Sequence, residues 1–222
     1  MSVAKRGPCS HHGFMPNRLR TSLIAASIAA ASLAVGAPSA SAGLLVKAAP
    51  DCSPKPTSAA FSKVDGDSTQ YWLAPGGDFE AGSASWTLGG RASIVSGNEP
   101  WKLAGSDDSR SLRLPPGASA TSPVVCVGIE HPAVRLFAKT NSGLLPTLAV
   151  DVITETSLGL KLAVPAGLLL PNGQWKPSPK LIVLSSLLPL FPGEHTPVQF
   201  RVTSVGLGTW SVDDFYIDPK CH

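Results

Sequence analysis

The amino-acid sequence predicts an all-β sandwich preceded by an export signal. From about residue 59 onward, apolar and polar residues alternate with a period of two, whereas the 3.6-residue periodicity of helices is nearly absent. Gly and Pro each occur 21 times while 43% of the residues are hydrophobic, a balance that favours strands joined by tight turns over a disordered chain. Short alternating runs separated by turn residues are typical of a two-layer β-sandwich.

Five segments carry this alternation most clearly, at residues 134–139, 148–152, 160–162, 198–203 and 210–217. In the last segment, strict alternation predicts that Trp210, Val212, Asp214 and Tyr216 share one face and that the residues between them share the other. The apolar stretch 181–191 departs from this pattern, and we predict a strand there followed by a turn of helix near residues 186–190.

Residues 1–42 predict a cleavable secretory signal peptide. A stretch with four basic residues and no acidic one precedes an apolar run over residues 23–35, and Ala40-Ser41-Ala42 follows as a small-residue cleavage motif. The apolar run is shorter than the roughly 20 residues that cross a bilayer, which argues against an uncleaved anchor. We therefore predict cleavage after Ala42, with either Met1 or Met15 as the start.

The remaining chain is predicted to hold a linker over residues 43–58 and one domain over residues 59–222. Its charge is nearly balanced, because the leader carries four of the 18 basic residues and none of the 15 acidic ones, leaving 14 against 15. No Lys/Arg cluster occurs in this part, which argues against nucleic-acid binding. We expect a secreted monomer that is not held to a membrane once the signal has been removed.

Three cysteines remain after cleavage, and export makes a disulfide plausible. We predict a Cys52–Cys126 bond, because Cys126 lies in an apolar strand and Cys52 would pin a Pro-rich segment. Such a long loop predicts a stabilisation of roughly 4 kcal/mol. Cys221, close to the C-terminus, is expected to be free. The cysteines and histidines do not show the sequence spacing of a zinc site.

Three motifs resemble the galactose-binding-like jelly-roll families, which include many carbohydrate-binding modules. They are Gly76-Gly77-Asp78-Phe79-Glu80-Ala81-Gly82 with Trp86 following, the segment over 105–114 that ends in Ser-Leu-Arg-Leu, and the closing Trp210-Ser211-Val212-Asp213-Asp214-Phe215-Tyr216-Ile217. The resemblance spans residues 76–217. The full pattern is also similar to a group of secreted proteins of high-GC Gram-positive bacteria, a likeness that brings no function with it.

This resemblance implies a jelly-roll β-sandwich with Trp86 and Trp210 in its core. It also implies a structural Ca²⁺ held by a first-strand glutamate and a last-strand aspartate, which correspond here to Glu80 and Asp214, with Asp213 in reserve. Two carboxylates supply only part of the six to eight oxygens that Ca²⁺ requires. The alternative is that these acids are solvated or cap turns.

A sugar-binding site requires aromatic rings beside amide or carboxylate groups, and the candidates are Trp101, Trp175, Tyr71, Asn98 and Glu99. Trp101 follows Asn98-Glu99-Pro100, and Trp175 follows Asn172-Gly173-Gln174. Packing of these rings against the edge of the sandwich is an equal alternative for each.

We predict no enzymatic activity. Gly66-Asp67-Ser68 resembles a lipase motif, but Asp218 and His222 are spaced one residue too far apart for that family. Glu80, Glu99 and Asp108 are the candidates for a glycosidase pair, and sequence alone cannot give their separation.

The sequence therefore predicts a secreted, non-catalytic module for carbohydrate or cell-wall glycan. The alternative is an extracellular structural or protein-interaction protein on the same scaffold. A binding module is expected to gather its aromatic rings on an exposed concave face. An interaction protein is expected to bury those rings or to show a broad apolar patch from residues 168–171 and 187–191.

Overall fold

The chain folds into two antiparallel β-sheets packed face to face. The structure, a computed structural model, describes residues 52–156, 159–184 and 195–219, all within one compact unit over Ala42–His222. Two short 3₁₀ turns, Ala60–Lys63 and Gly82–Ala84, are the helical elements of these ranges. The all-β prediction is thereby confirmed.

The first sheet has seven strands among the described residues, in the order β10-β7-β13-β4-β3, with β1 also paired to β13 and β11 also paired to β7. Its strands are β1 (Trp72–Leu73), β3 (Ser93–Ser96), β4 (Arg110–Leu114), β7 (Ala133–Ser142), β10 (Lys176–Pro177), β11 (Leu181–Ile182) and β13 (Thr209–Asp218).

The second sheet has six strands in the same ranges, in the order β2-β5-β12-β8-β9, with β6 also paired to β12. Its strands are β2 (Thr87–Gly89), β5 (Ser119–Thr121), β6 (Val125–Val127), β8 (Thr147–Glu155), β9 (Lys161–Leu169) and β12 (Thr196–Val205).

Consecutive described strands change sheet eight times, as in a jelly-roll sandwich: at β1–β2, β2–β3, β4–β5, β6–β7, β7–β8, β9–β10, β11–β12 and β12–β13. The core between the sheets takes one face of each long strand, because alternation places every second side chain inward. It contains the predicted inward residues of β7, β8 and β12, together with both tryptophans assigned to the core, Trp86 and Trp210. The Trp86 Nε1 group also donates a hydrogen bond to the Pro75 carbonyl at 3.0 Å.

Strict alternation fails in the last strand. Trp210 and Val212 point into the core as predicted, but so do Phe215 and Ile217, while Tyr216 packs on the outer face. The cause is a register shift between Asp213 and Tyr216, where Asp214 adopts a φ of 49°. Such a β-bulge inserts a residue that has no partner and reverses the faces beyond it.

A second, smaller cluster of aromatic residues covers the outer face of the first sheet. Phe61, Tyr71, Phe137 and Tyr216 pack together there, and the Phe61 ring stacks on that of Phe137 at 5.4 Å. The segment before β1 therefore covers the sheet, which explains why both faces of β7 are buried.

Arg135 holds this N-terminal segment in place. Its buried guanidinium lies 4.0 Å above the Phe61 ring, pairs with the Asp65 carboxylate, and contacts Asp67 Oδ2 at 3.0 Å. The same side chain donates to the Ser178 carbonyl at 3.0 Å. The Arg135 guanidinium therefore links the segment before β1 to β7 and to the segment that contains Ser178.

The predicted Cys52–Cys126 disulfide is present and joins the segment before the first 3₁₀ turn to β6. Ser58 and Tyr71 also exchange two backbone hydrogen bonds of 2.8 Å. The part of the predicted linker that the structure describes is therefore attached to the domain.

Several predictions fall on residues outside the described ranges: the signal peptide, the helical turn near 186–190, the apolar stretch 187–191, Cys221 and His222. The strand predicted at the start of 181–191 is β11. Among the described residues, helices long and apolar enough to span a bilayer are absent.

Candidate functional site

A cluster of buried acidic side chains lies beneath two loops at the β13 bulge. Glu99 and Asp108 come from the β3–β4 loop and Asp214 from the bulge itself, and one carboxylate oxygen of each lies within 4.8 Å of the other two. All three side chains are buried, as is that of the adjacent Asp213. A bulge re-aims side chains, and here it turns Asp214 toward the loops.

The glycines of the first motif let a loop lie directly on this bulge. Phe215 donates a backbone hydrogen bond to the Gly77 carbonyl at 3.0 Å, and Ala74 donates to the Phe215 carbonyl at 2.9 Å. A Cβ on Gly77 would lie 2.9 Å from the Phe215 carbonyl oxygen, and Gly76 has a φ of +63°. Glycine is therefore favoured at position 77 by the lack of space for a Cβ atom, and at position 76 by the positive φ.

The hydrogen bonds around the cluster are incomplete. Asp213 accepts backbone hydrogen bonds from Glu99 at 3.2 Å and from Asp214 at 3.0 Å. By contrast, the four carboxylate oxygens of Asp108 and Asp214 accept no hydrogen bond from any described residue. Buried polar atoms normally have partners, so these oxygens point to a ligand.

Burial and mutual repulsion make ionisation of the cluster unfavourable without a cation. Burial raises the pKa of Asp108 to about 6, with Glu99 and Glu80 adding repulsion. Burial together with Asp214 and Asp108 raises the pKa of Asp213 to about 10, and burial together with Asp108 and Glu99 raises that of Asp214 to about 9. The cluster therefore attracts positive charge.

These donors suit a hard divalent cation such as Ca²⁺. Carboxylate oxygens are its preferred ligands, and the unpaired oxygens of Asp108 and Asp214 are available beside the Glu99 carboxylate. An acidic surface depression lined by Asp78, Glu80, Asp107 and Asp108 adjoins the cluster.

Of the three residues predicted to hold Ca²⁺, two lie in or beside the acidic cluster. Asp214 is in the cluster and Asp213 lies beside it. Glu80 instead accepts backbone hydrogen bonds from Ser109 at 2.8 Å and Arg110 at 2.6 Å, outside the group of three. Sequence reasoning assigned Glu99 to sugar binding and left Asp108 unassigned as a metal ligand, because strand patterns do not show how a long loop folds over a strand.

Glu99 also determines the conformation of the loop that carries Trp101. Its carboxylate accepts hydrogen bonds from the backbone N–H groups of Trp101 and, at 2.8 Å, Leu103. The acidic cluster and the loop over 99–103 are thus joined through a single side chain.

Trp101 and Trp175 each pack against the aromatic cluster on the outer face of the first sheet. The Trp101 side chain is 39% exposed, and its ring centroid lies 5.3 Å from that of Phe137. Trp175 is half-buried against the same outer aromatic cluster, and the Lys139 ammonium lies 5.2 Å from the centre of its ring. That the two rings form one concave binding surface stays a prediction.

Tyr71 and Glu99 occupy different places from those expected of ligand-binding side chains. Tyr71 is wholly buried and donates its hydroxyl to Asp67 Oδ2 at 2.6 Å, so it supports the N-terminal segment. Glu99 is buried beneath the loop. Asn98 is half-buried beside Asp108. Among the aromatic candidates, Trp101 is therefore exposed, Trp175 is half-buried and Tyr71 is buried.

The residues weighed as catalytic are engaged elsewhere. Asp67, of the Gly-Asp-Ser sequence, is bound by Arg135 and Tyr71. Glu99 and Asp108 are both buried, and Glu80 is held by backbone N–H groups. Of the three glycosidase candidates, Glu80 and Glu99 are therefore bound to loop backbone, and Asp108 is buried without a hydrogen-bond partner among the described residues.

No protein-family model matches this chain, and neither does any curated protein. Solved structures do match it. One is the N-terminal xylanase 10B of Clostridium thermocellum, a family 22 carbohydrate-binding module with its glycoside hydrolase module complexed with xylohexaose (13% identity, TM-score 0.43). Another is the enzymatically active domain of tailspike protein 4 from bacteriophage CBA120 (13% identity, TM-score 0.46).

The alignments cover 63% and 66% of this chain but 27% and 21% of those two, so this chain spans about a quarter of their length. A third match, a xylan-binding domain of family 22, is 15% identical over 68% of this chain and 96% of its own, with a TM-score of 0.44. Similarity at this level says nothing about the ligand of this chain.

Proposed function

We propose that this chain is a secreted, non-catalytic module that binds carbohydrate, with Trp101 as its stacking platform. The observation that carries the proposal is the exposed Trp101 ring, backed by Phe137 and held in place through Glu99. An indole ring that packs on one side and is exposed on the other offers a flat apolar face, and a ligand that stacks on it immobilises little further side-chain motion.

Two polar residues are candidates for contact with the hydroxyl groups of a sugar. Asn98 is on the same loop as Trp101, with its Nδ2 atom buried, and the Lys139 ammonium lies 5.2 Å from the centre of the Trp175 ring. Because the lysine covers part of Trp175, that ring serves as a wall rather than as a second stacking surface. Small-molecule sites typically combine aromatic rings with a small number of oriented polar groups.

A structural Ca²⁺ is part of the proposal. Glu99, Asp108 and Asp214 would hold the ion, with Asp213 orienting Glu99 and Asp214 through their backbone N–H groups. The ion would supply charge neutralisation and no chemistry. Because Glu99 also binds the Trp101 loop, calcium loading would fix the platform as well as the fold.

The burial of the acids supports a non-catalytic role. Glycoside hydrolysis requires two carboxyl groups flanking the scissile bond of a bound substrate. Glu99 and Asp108 are too deeply buried to contact a polysaccharide. The disulfide supports the secreted location, because such bonds persist in oxidising compartments.

The test is a glycan array and a polysaccharide pull-down with the calcium-loaded protein. We expect retention on at least one glycan, and a loss of at least about tenfold in affinity for Trp101→Ala. Leu207→Ala, which removes an exposed apolar side chain from the β12–β13 turn, is the matched control and should bind normally. Failure of every glycan, or equal binding by Trp101→Ala, would exclude the proposal.

A separate surface favours the alternative function of protein interaction. The β7–β8 and β12–β13 turns pack together and expose three leucines, of which Leu145 is 81% exposed and Leu144 and Leu207 are each 71% exposed. Exposed apolar patches mark association surfaces. This role predicts self-association in sedimentation velocity at high concentration, removed by Leu145→Glu, without any effect on Trp101.

A further inference from the structure

Two histidines and a glutamate lie close together at the start of β12, and one of the histidines is distant in sequence from the other two residues. Glu130 and His131 lie in the turn between β6 and β7, and His195 immediately precedes β12. One ligand atom of each lies within 4.8 Å of the other two. This group is separate from the acidic cluster and plays no part in the proposed glycan binding.

The distances within this group suit a small cation. Glu130 Oε1 lies 2.6 Å from His195 Nε2 and 3.5 Å from His131 Nδ1. Ligand atoms of a tetrahedral Zn²⁺ ion lie about 3.3 Å apart, given metal–ligand bonds of about 2.0–2.1 Å. These two separations bracket that value, so small side-chain rotations would complete the geometry.

The hydrogen-bond pattern leaves an unfavourable contact that a cation would relieve. The Gly128 N–H donates to His131 Nδ1 at 3.0 Å, so this nitrogen is unprotonated, and a bound cation would replace this hydrogen bond on its single lone pair. The same nitrogen faces the Glu130 carboxylate, which is also an acceptor.

The backbone around the group is firmly held. His131 donates a backbone hydrogen bond to the Gly128 carbonyl at 2.8 Å, which closes a turn. β6 pairs with the start of β12 through Cys126 and Pro197, and the disulfide ties Cys126 to Cys52. Little conformational entropy would therefore be lost on binding, a condition for a site with only three protein ligands.

We propose that Glu130, His131 and His195 form a binding site for a divalent transition-metal ion, with Zn²⁺ as the ligand expected in an extracellular protein. Imidazole nitrogens and one carboxylate are typical Zn²⁺ donors. All three side chains are partly exposed, so water can supply a fourth ligand. The ion would bridge the β6–β7 turn to β12.

The test is calorimetric titration of Zn²⁺ into protein saturated with Ca²⁺, so that the acidic cluster is not available to zinc. We expect one Zn²⁺ per chain. His195→Ala and Glu130→Gln should each weaken binding by at least about tenfold, since even loss of an outer-shell partner costs 10–100-fold. Asp107→Asn is the matched control, because Asp107 is an exposed acid outside this group of three residues, and the variant should bind Zn²⁺ normally.

Co²⁺ provides a second readout that does not depend on heat signals. Four-coordinate Co²⁺ at this site should show visible d–d absorption that His195→Gln abolishes, while circular dichroism confirms that the variant is folded. Absence of Zn²⁺ binding, or binding unchanged in both His195 variants, would overturn the proposal. Neither result would bear on glycan binding, which is measured with the Trp101 variant.

Discussion

Calcium is predicted to offset most of the pH dependence of folding stability. In metal-free protein, the pKa of Asp108 is raised to about 6 and those of Asp213 and Asp214 to about 10 and 9, against 3.8 in the unfolded chain. Between pH 4 and pH 9 the folded state therefore binds more protons than the unfolded state. The free energy of unfolding should fall as the pH rises.

The size of this effect follows from the linkage relation. Between pH 5 and pH 8, Asp108 alone accounts for about 1.4 kcal/mol of lost stability, at about 1.36 kcal/mol per pKa unit. One further proton shared by the coupled Asp213–Asp214 pair adds roughly 4 kcal/mol. Saturating Ca²⁺ replaces these protons, and a concentration of 1,000 times its dissociation constant would restore about 4 kcal/mol at pH 8.

Urea unfolding followed by tryptophan fluorescence, at pH 5 and pH 8 and with calcium or EDTA, measures the effect. The free energy of unfolding in calcium minus that in EDTA removes the contribution of titrating groups outside the cluster. This difference should be several kcal/mol at pH 8 and small at pH 5. Asp108→Asn should remove most of this difference, whereas the exposed neighbour Asp107→Asn should not. Equal stability in calcium and EDTA at pH 8 would refute the assignment.

Three further changes test the scaffold by the same unfolding assay. Arg135→Met should cost about 2 kcal/mol, because it leaves the half-buried Asp67 carboxylate and the Ser178 carbonyl without their donor, and the exposed Arg113→Met should cost little. Equal effects would contradict the role of Arg135 in holding the segment before β1. Cys52→Ser opens a bridge with a sequence separation of 74 and should cost about 4 kcal/mol, an effect that a reductant should reproduce in the native protein. Gly143→Ala should cost at least about 2 kcal/mol, because φ is +114° and a Cβ atom would clash with the backbone of the β12–β13 turn. Gly173→Ala is the control, because a Cβ atom there has no neighbour within 4 Å. Similar costs for the two variants would exclude this clash.

The features that depend on local pattern were predictable from the sequence. Alternation places Val150 and Phe200 in the core, and Trp86 and Trp210 lie where the jelly-roll resemblance puts them. The Cys52–Cys126 pairing followed from an apolar strand and a loose segment. Each of these inferences required only the period of a strand or the chemistry of one residue pair.

The site depends on features that have no period. A single bulge at Asp214 reverses the faces of β13, and only the folded loop shows that Glu99 and Asp108 turn inward. Tyr71 was expected at the surface, but it lies beneath the segment that Arg135 holds in place. His131 and His195 meet because β6 pairs with β12, and no spacing along the chain indicates this contact.

The most direct test of the glycan-binding account is to follow the five tryptophan indole N–H resonances while a binding glycan is titrated. Trp72, Trp86 and Trp210 are buried in the core, and Trp101 alone presents an exposed ring. The account predicts that the Trp101 resonance shifts most, that Trp175 shifts less, and that the three core resonances stay in place. A shift confined to other residues, with Trp101 unchanged at saturation, would contradict it.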